Sequence, residues 1–170
     1  MRQPEELEND LMSSDEIQGG CGDVLNPASG NGTGQAPTGI LLVDDDDEMR
    51  NLLRDVLGDE GYAVFEATNG AEALLWLHRQ TFAAIILDKN MPGLSGLDLL
   101  PGIRTVCPRT PVILITAFGD MATYQEARDK GAFEYLFKPF RMEEILRVLR
   151  KALALQESST SSRGSETWGQ

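Results

Sequence analysis

Adjacent acidic side chains disfavour their own ionised forms, so a run such as Asp44-Asp45-Asp46-Asp47 usually serves a cation, a helix N-terminus, or both. The run closes a short apolar segment, Ile40 to Val43. Three further stretches answer it: Asp88 in LDKNMPG, Thr116 in ITA and Lys138 in FKP. Carboxylates, a hydroxyl and an ammonium are the groups that hold a divalent cation and bind phosphate oxygens. Together they read as a phosphoryl-transfer site.

Composition narrows what such a site can serve. The chain has 170 residues, 41% of them hydrophobic, which is enough for one domain with a good core plus tails. A net charge of −12 argues against a phosphate-backbone binder, whose affinity rests on clustered Lys and Arg. Cys21 and Cys107 are the two cysteines, far apart and without a Cys-x-x-Cys or Cys/His cluster, so neither a disulfide framework nor a zinc site is expected. The apolar runs are of strand length, short of the roughly 18 residues of a membrane span, and no signal-like segment opens the chain. A soluble, cytoplasmic protein is expected.

The elements that must position the chemical groups follow from periodicity. Residues 1–38 hold seven acids against one base, Arg2, and from Gly19 onward they are rich in Gly, Asn, Pro and Ser. Such a segment buries too little to offset ordering entropy and is expected to be a disordered tail, with Glu5 to Ile17 a weaker helix or docking candidate. From Ile40 short β-type runs alternate with helical periods, the pattern of an α/β, doubly wound parallel sheet with helices on both faces. Strands are expected at Ile40–Val43, Tyr62–Ala67, Ala83–Leu87, Pro111–Thr116 and Phe133–Phe137. In the first helix Met49, Leu52, Leu53, Val56 and Leu57 make one apolar stripe. The second, Asn69 to Gln80, turns Ala73, Leu74 and Leu77 inward.

The third helix should run from a Ser95 cap toward Val106, but Pro101-Gly102 lies inside it and predicts a kink or an early stop. A fourth is expected over Asp120–Lys130. The last, Arg141 to about Leu155, turns Ile145, Val148, Leu149 and Leu153 inward, and 156–170 reads as a Ser/Thr-rich tail. Functional groups gather at the carboxyl ends of strands in such sheets, which selects Asp44, Asp45, Asp88, Thr116 and Lys138.

VDD at Val43 to Asp45, LDKNMPGLSG at Leu87 to Gly96, ITA at Ile115 to Ala117 and YLFKPF at Tyr135 to Phe140 stand in one order and spacing. In that combination the chain, over 39–155, resembles the receiver domain of two-component response regulators. The resemblance implies a flavodoxin-like, five-stranded sheet in the order 2-1-3-4-5. It implies Asp88 as phosphoacceptor, Mg²⁺ as cofactor held directly by Asp45, through water by Asp44, and by Asp88 and the backbone carbonyl of Asn90. Lys138 and Thr116 would contact phosphate oxygens, and Tyr135 would turn inward as Thr116 moves. The side chains of Asn90 and Phe118 lie where the family tunes phosphoaspartate hydrolysis, and Pro139 matches a family cis-proline. The implied partners are a sensor histidine kinase or a histidine phosphotransfer protein on the input side and an unknown protein on the output side. Neither a DNA-binding domain nor a membrane segment is expected.

Each assignment has a plainer reading. Alone, Asp88 would be a loop carboxylate, Lys138 a solvated lysine, Thr116 a strand residue and Tyr135 a core aromatic; their conjunction at strand ends carries the functional one. For Asp46, Asp47 and Glu48 the plainer reading is preferred, acids complementing a helix N-terminus. His78 and Cys107 read as a surface and a packing residue, and Trp76 and Trp168 suggest no chemistry. Three positions depart from the family pattern: Asp47 where proline is common, Lys89 where apolar residues are frequent, and Pro101-Gly102. The preferred function is a stand-alone receiver that switches partner binding. The rivals are a phosphorylation-independent docking module and an aspartate-nucleophile phosphatase, which usually carries a second acid where Asn90 stands.

Overall fold

In a computed structural model of the chain, residues 38–119 and 121–161 are described, with side chains as far as 156. The segment read as an acidic tail, Cys21 and Trp168 lie outside them. Five strands and five helices alternate: β1 Gly39–Val43, α1 Asp47–Asp59, β2 Ala63–Ala67, α2 Gly70–Arg79, β3 Ala84–Asp88, α3 Gly96–Val106, β4 Val112–Thr116, α4 Met121–Asp129, β5 Glu134–Phe137 and α5 Met142–Ser161. The sheet is parallel throughout, as the alternating pattern predicts, in the order β2-β1-β3-β4-β5 that the resemblance implies.

The central strands are apolar on both sides because the sheet is covered on both. Their alternate side chains enter two separate cores. Leu41, Val43, Ile85, Leu87, Val112 and Leu114 pack with residues of α2, α3 and α4. Ile40, Leu42, Ala84, Ile86, Ile113 and Ile115 pack with α1 and α5. A one-residue slip of a strand would exchange its two sets, so the register is strongly specified.

Caps account for the helix ends. Asp46 accepts from the backbone N–H of Glu48 at 2.9 Å and of Met49 at 3.3 Å, which makes it the N-cap of α1. Gly61 sits at φ 87°, with its N–H on Gly58 O at 2.9 Å and that of Tyr62 on Leu57 O at 3.1 Å. That pair of bonds is a Schellman stop, which needs a left-handed residue.

The structure departs from expectation in three places. The α3 helix does not stop at Pro101; it runs on to Val106, held on the core by buried Leu97, Leu99, Leu100 and Ile103. The last helix, α5, continues to Ser161, into the stretch read as a tail. Leu52, placed on the α1 stripe, is exposed while Leu53 and Leu57 are buried, because it falls on the edge of the stripe.

At the amino ends of the strands Arg104 of α3 gathers loop carbonyls. It donates to Thr110 O at 2.7 Å, to Pro108 O at 3.2 Å and to Gly131 O. Burial pulls its pKa down.

Two α3 glycines should behave oppositely on substitution. A Cβ on Gly96 would lie 2.3 Å from the carbonyl oxygen of Asp88, whereas one on Gly102 meets nothing nearer than Leu74 at 4.0 Å. Gly102→Ala should stabilise by about 0.5–1 kcal/mol through helix propensity. Gly96→Ala should destabilise by about 1–3 kcal/mol or more, since backbone must move. Urea unfolding of both variants checks the contrast.

Candidate functional site

Strand register brings the chemical groups to one end of the sheet. Val43 pairs with Leu87, so the next residues, Asp44 and Asp88, emerge side by side. Asp88 in turn lies opposite Ile115, and Thr116 opposite Phe137, so Thr116 and Lys138 follow, each one residue further along. Three backbone bonds lock this corner: Asp44 N to Ala67 O at 3.1 Å, Lys89 N to Ile115 O at 2.7 Å and Lys138 N to Thr116 O at 2.7 Å. The Lys138-Pro139 peptide is cis.

Asp44 is 1% and Asp88 4% exposed, while Asp45 stands at the surface. The three offer carboxylate oxygens that all lie within 4.8 Å of one another. Lys138 Nζ bridges Asp44 Oδ2 at 3.4 Å and Asp88 Oδ2 at 3.3 Å. Both contacts are longer than the ~2.7–2.9 Å of a tight charge-assisted bond, so the ammonium is shared and closes fully on neither. The other oxygens take backbone donors: Asp44 Oδ1 accepts from Asp46 N at 2.8 Å and Asp88 Oδ1 from Asn90 N at 3.1 Å.

Three carboxylates against one ammonium leave excess negative charge. Burial raises the pKa of Asp44; the Asp46 N–H opposes this, the charge of Asp88 adds to it, and Lys138 again opposes it. For Lys138 burial acts to lower the pKa, but Asp44 and Asp88 together outweigh it and the value is raised. An all-oxygen, acidic donor set suits a hard cation such as Mg²⁺ and suits a soft metal poorly.

Thr116, fully buried, is saturated with hydrogen bonds. Its hydroxyl accepts from Phe118 N at 3.2 Å and Asn90 Nδ2 at 3.3 Å, and donates to Phe118 O at 2.6 Å. Tyr135 is also buried, its ring centroid 5.1 Å from that of Phe137 and 6.0 Å from that of Tyr124. Tyr135 is thus buried while the Thr116 hydroxyl donates to Phe118 O. Phe118 and Asn90 are exposed at the rim.

The side chains of Asp46 and Asp47 serve the helix start, as expected: that of Asp46 caps α1 and that of Asp47 pairs with Arg50, while the pocket uses only the backbone N–H of Asp46. The sequence reading missed Arg50, which donates to the carbonyl of Asp44 at 2.9 Å and to Glu66 at 3.2 Å and so fixes the β1–α1 turn. Its i+3 spacing from Asp47 was the available signal. It also missed Gly96, whose N–H bonds Lys89 O at 3.0 Å and whose bare Cα lets α3 approach Asp88. His78 is at the surface and Cys107 is buried, as expected.

The sequence model of one family, described as response regulator receiver domain, matches residues 40–150. Sporulation initiation phosphotransferase F of Bacillus subtilis (strain 168) is 34% identical over 119 residues, covering 70% of this chain and 96% of that protein. Regulatory protein AtoC of Escherichia coli (strain K12) is 36% identical over 124 residues, covering 73% of this chain but only 27% of that protein. Among solved structures, chemotaxis protein CheY4 of Vibrio cholerae superimposes with a TM-score of 0.66 at 33% identity, covering 69% of this chain and all (100%) of the other. The receiver domain protein (CheY-like) of Methanospirillum hungatei JF-1 does so with a TM-score of 0.71 at 26% identity, covering 73% and 99%.

The raised pKa of Asp44 has a sign that can be checked. A native pKa above the unfolded one contributes stability that is present below the unfolded value and lost as pH rises through the native one. At pH near 7 and without divalent cations, ionised Asp44 therefore costs stability, and Asp44→Asn should melt above the wild type. The gap should narrow as pH falls into the carboxylate range. Melting curves with a chelator at neutral and acid pH test this; a variant that melts lower at neutral pH contradicts it.

Proposed function

The chain belongs to the response regulator receiver family, and we propose that it works as a phosphoryl-operated switch with Asp88 as the acceptor. The observation that carries this is the buried Asp88 carboxylate at the end of β3, within reach of Lys138 and beside Asp44 and Asp45. The donor is a phosphohistidine on a sensor histidine kinase or a histidine phosphotransfer protein. The output is altered binding of a protein partner by a stand-alone, cytoplasmic receiver. The stand-alone reading is supported by the match to nearly the whole of sporulation initiation phosphotransferase F. Among the described residues no helix is long and apolar enough to cross a membrane.

In the transfer, a carboxylate oxygen of Asp88 forms a P–O bond as the P–N bond of the phosphohistidine breaks, and the imidazole leaves with the electron pair. Mg²⁺, held by Asp45, Asp44, Asp88 and the Asn90 carbonyl, would neutralise phosphoryl charge when bound. Lys138 already touches Asp88 Oδ2; its loose bridge lets it move onto a phosphoryl oxygen with little rearrangement. Asn90 N holds Asp88 Oδ1 and orients the carboxylate. Thr116 donates to a further phosphoryl oxygen and must release Phe118 O to do so. That release is the local event that biases Tyr135 and the β5 surface.

Phosphatase chemistry is disfavoured by the position two residues beyond Asp88: Asn90 offers an amide where a general acid would be needed, and its Nδ2 is engaged with Thr116.

Incubation with Mg²⁺ and acetyl phosphate, followed by intact-mass measurement, should give a single phosphoryl adduct on the wild type and none on Asp88→Asn. Asp45→Asn should lose the adduct and Asp47→Asn should keep it. An unmodified wild type would overturn the proposal. Millimolar Mg²⁺ should also raise the melting temperature of the wild type, since an ion bound only by the native state stabilises it by mass action.

A further inference from the structure

A threonine hydroxyl has one proton to give, and that of Thr116 is committed to the carbonyl of Phe118 at 2.6 Å. If Thr116 turns to a phosphoryl oxygen, this carbonyl loses its donor. A second donor is already placed on it: Lys89 Nζ lies 3.4 Å from Phe118 O. A carbonyl oxygen has two lone pairs, so the two donors share one acceptor, the hydroxyl closely and the ammonium at arm's length. The Lys89 backbone is fixed between neighbours, its N–H on Ile115 O at 2.7 Å and its carbonyl accepting from Gly96 N at 3.0 Å. Among the described residues its ammonium enters no ion pair.

We propose that Lys89 is a positioning residue that takes over the Phe118 carbonyl when the Thr116 hydroxyl leaves it for the phosphoryl group. The β4–α4 turn thereby keeps a charged donor through the switch. This rests on the phosphoacceptor reading of Asp88. A 3.4 Å contact is longer than the ~2.9 Å of a well-made bond, and the flexible four-carbon stem of lysine closes it without backbone movement.

The position of this turn matters to its neighbours. A Cβ on Gly119 would stand 2.6 Å from a ring carbon of Phe137 and 2.9 Å from Tyr135 Oη. The turn therefore abuts Tyr135, and the anchoring of Phe118 O sets the room that Tyr135 has.

The rival role for Lys89 is a bare positive charge that attracts anionic donors, which high salt would screen. The test uses the full chain with Mg²⁺ and beryllofluoride, a stand-in for the phosphoryl group of an acyl phosphate, and reads affinity by calorimetry. Lys89→Met should bind beryllofluoride about three- to tenfold more weakly, the value of one hydrogen bond. The deficit should persist at high salt, and Lys89→Arg should restore the affinity. With Thr116→Ala no hydroxyl leaves the carbonyl, so adding Lys89→Met should then cost nothing more.

Equal affinity of Lys89→Met and wild type, a deficit abolished by salt, or additive effects of the two substitutions would each overturn the proposal. A wild type that takes neither beryllofluoride nor phosphate would instead overturn the phosphoacceptor reading beneath it.

Discussion

Everything at the carboxyl end of the sheet answers one electrostatic difficulty, the placing of two nearly buried carboxylates next to each other. Removing ionised groups from water is costly unless each finds partners. Asp44 and Asp88 find them in Lys138 and in the backbone N–H groups of Asp46 and Asn90. The solution is incomplete, since burial still holds Asp44 above its ordinary pKa. That residue of unfavourable energy is what makes the pocket receptive to added positive charge. A fully neutralised cluster would be more stable and would have no reason to bind anything.

The same difficulty explains why the flanking turns are so constrained. Arg50 holds the carbonyl of Asp44, Lys89 N holds Ile115 O, and Lys138 N holds Thr116 O. Parallel pairing supplies the rest: Asp44 and Asp88 stand level, and from β3 to β4 and from β4 to β5 the functional residue lies one further along, so acid, hydroxyl and ammonium are presented in steps around one corner. Because the alternate faces of the strands fill two different cores, that stagger cannot shift without exposing apolar surface.

How much of this was legible in the sequence depends on whether a feature is periodic or relational. The strands at Ile40–Val43 and Pro111–Thr116, the α1 stop at Gly61 and the split between Asp44-Asp45 and Asp46-Asp47 all follow from local pattern and cap chemistry. Motifs in register brought Asp88, Thr116 and Lys138 to one place before any coordinates did. Arg50 and Gly96 were missed because their roles are defined by groups distant in sequence or by space left empty. Of the kink or early stop expected at Pro101, the early stop does not occur, because a buried face carries α3 past it at the loss of one backbone bond. The three bonds converging on the Thr116 hydroxyl could not be read at all, since they depend on where two loops meet.

Arg104 gives the molecule a mechanical asymmetry. Its guanidinium clasps carbonyls from the α3–β4 turn and the α4–β5 corner, all at the end of the sheet remote from the carboxylates. The acidic end is tied differently, by backbone bonds at the strand ends and by the longer side-chain contacts of Lys138. Of the two ends, the acidic one holds its side-chain ions by contacts with room to shorten.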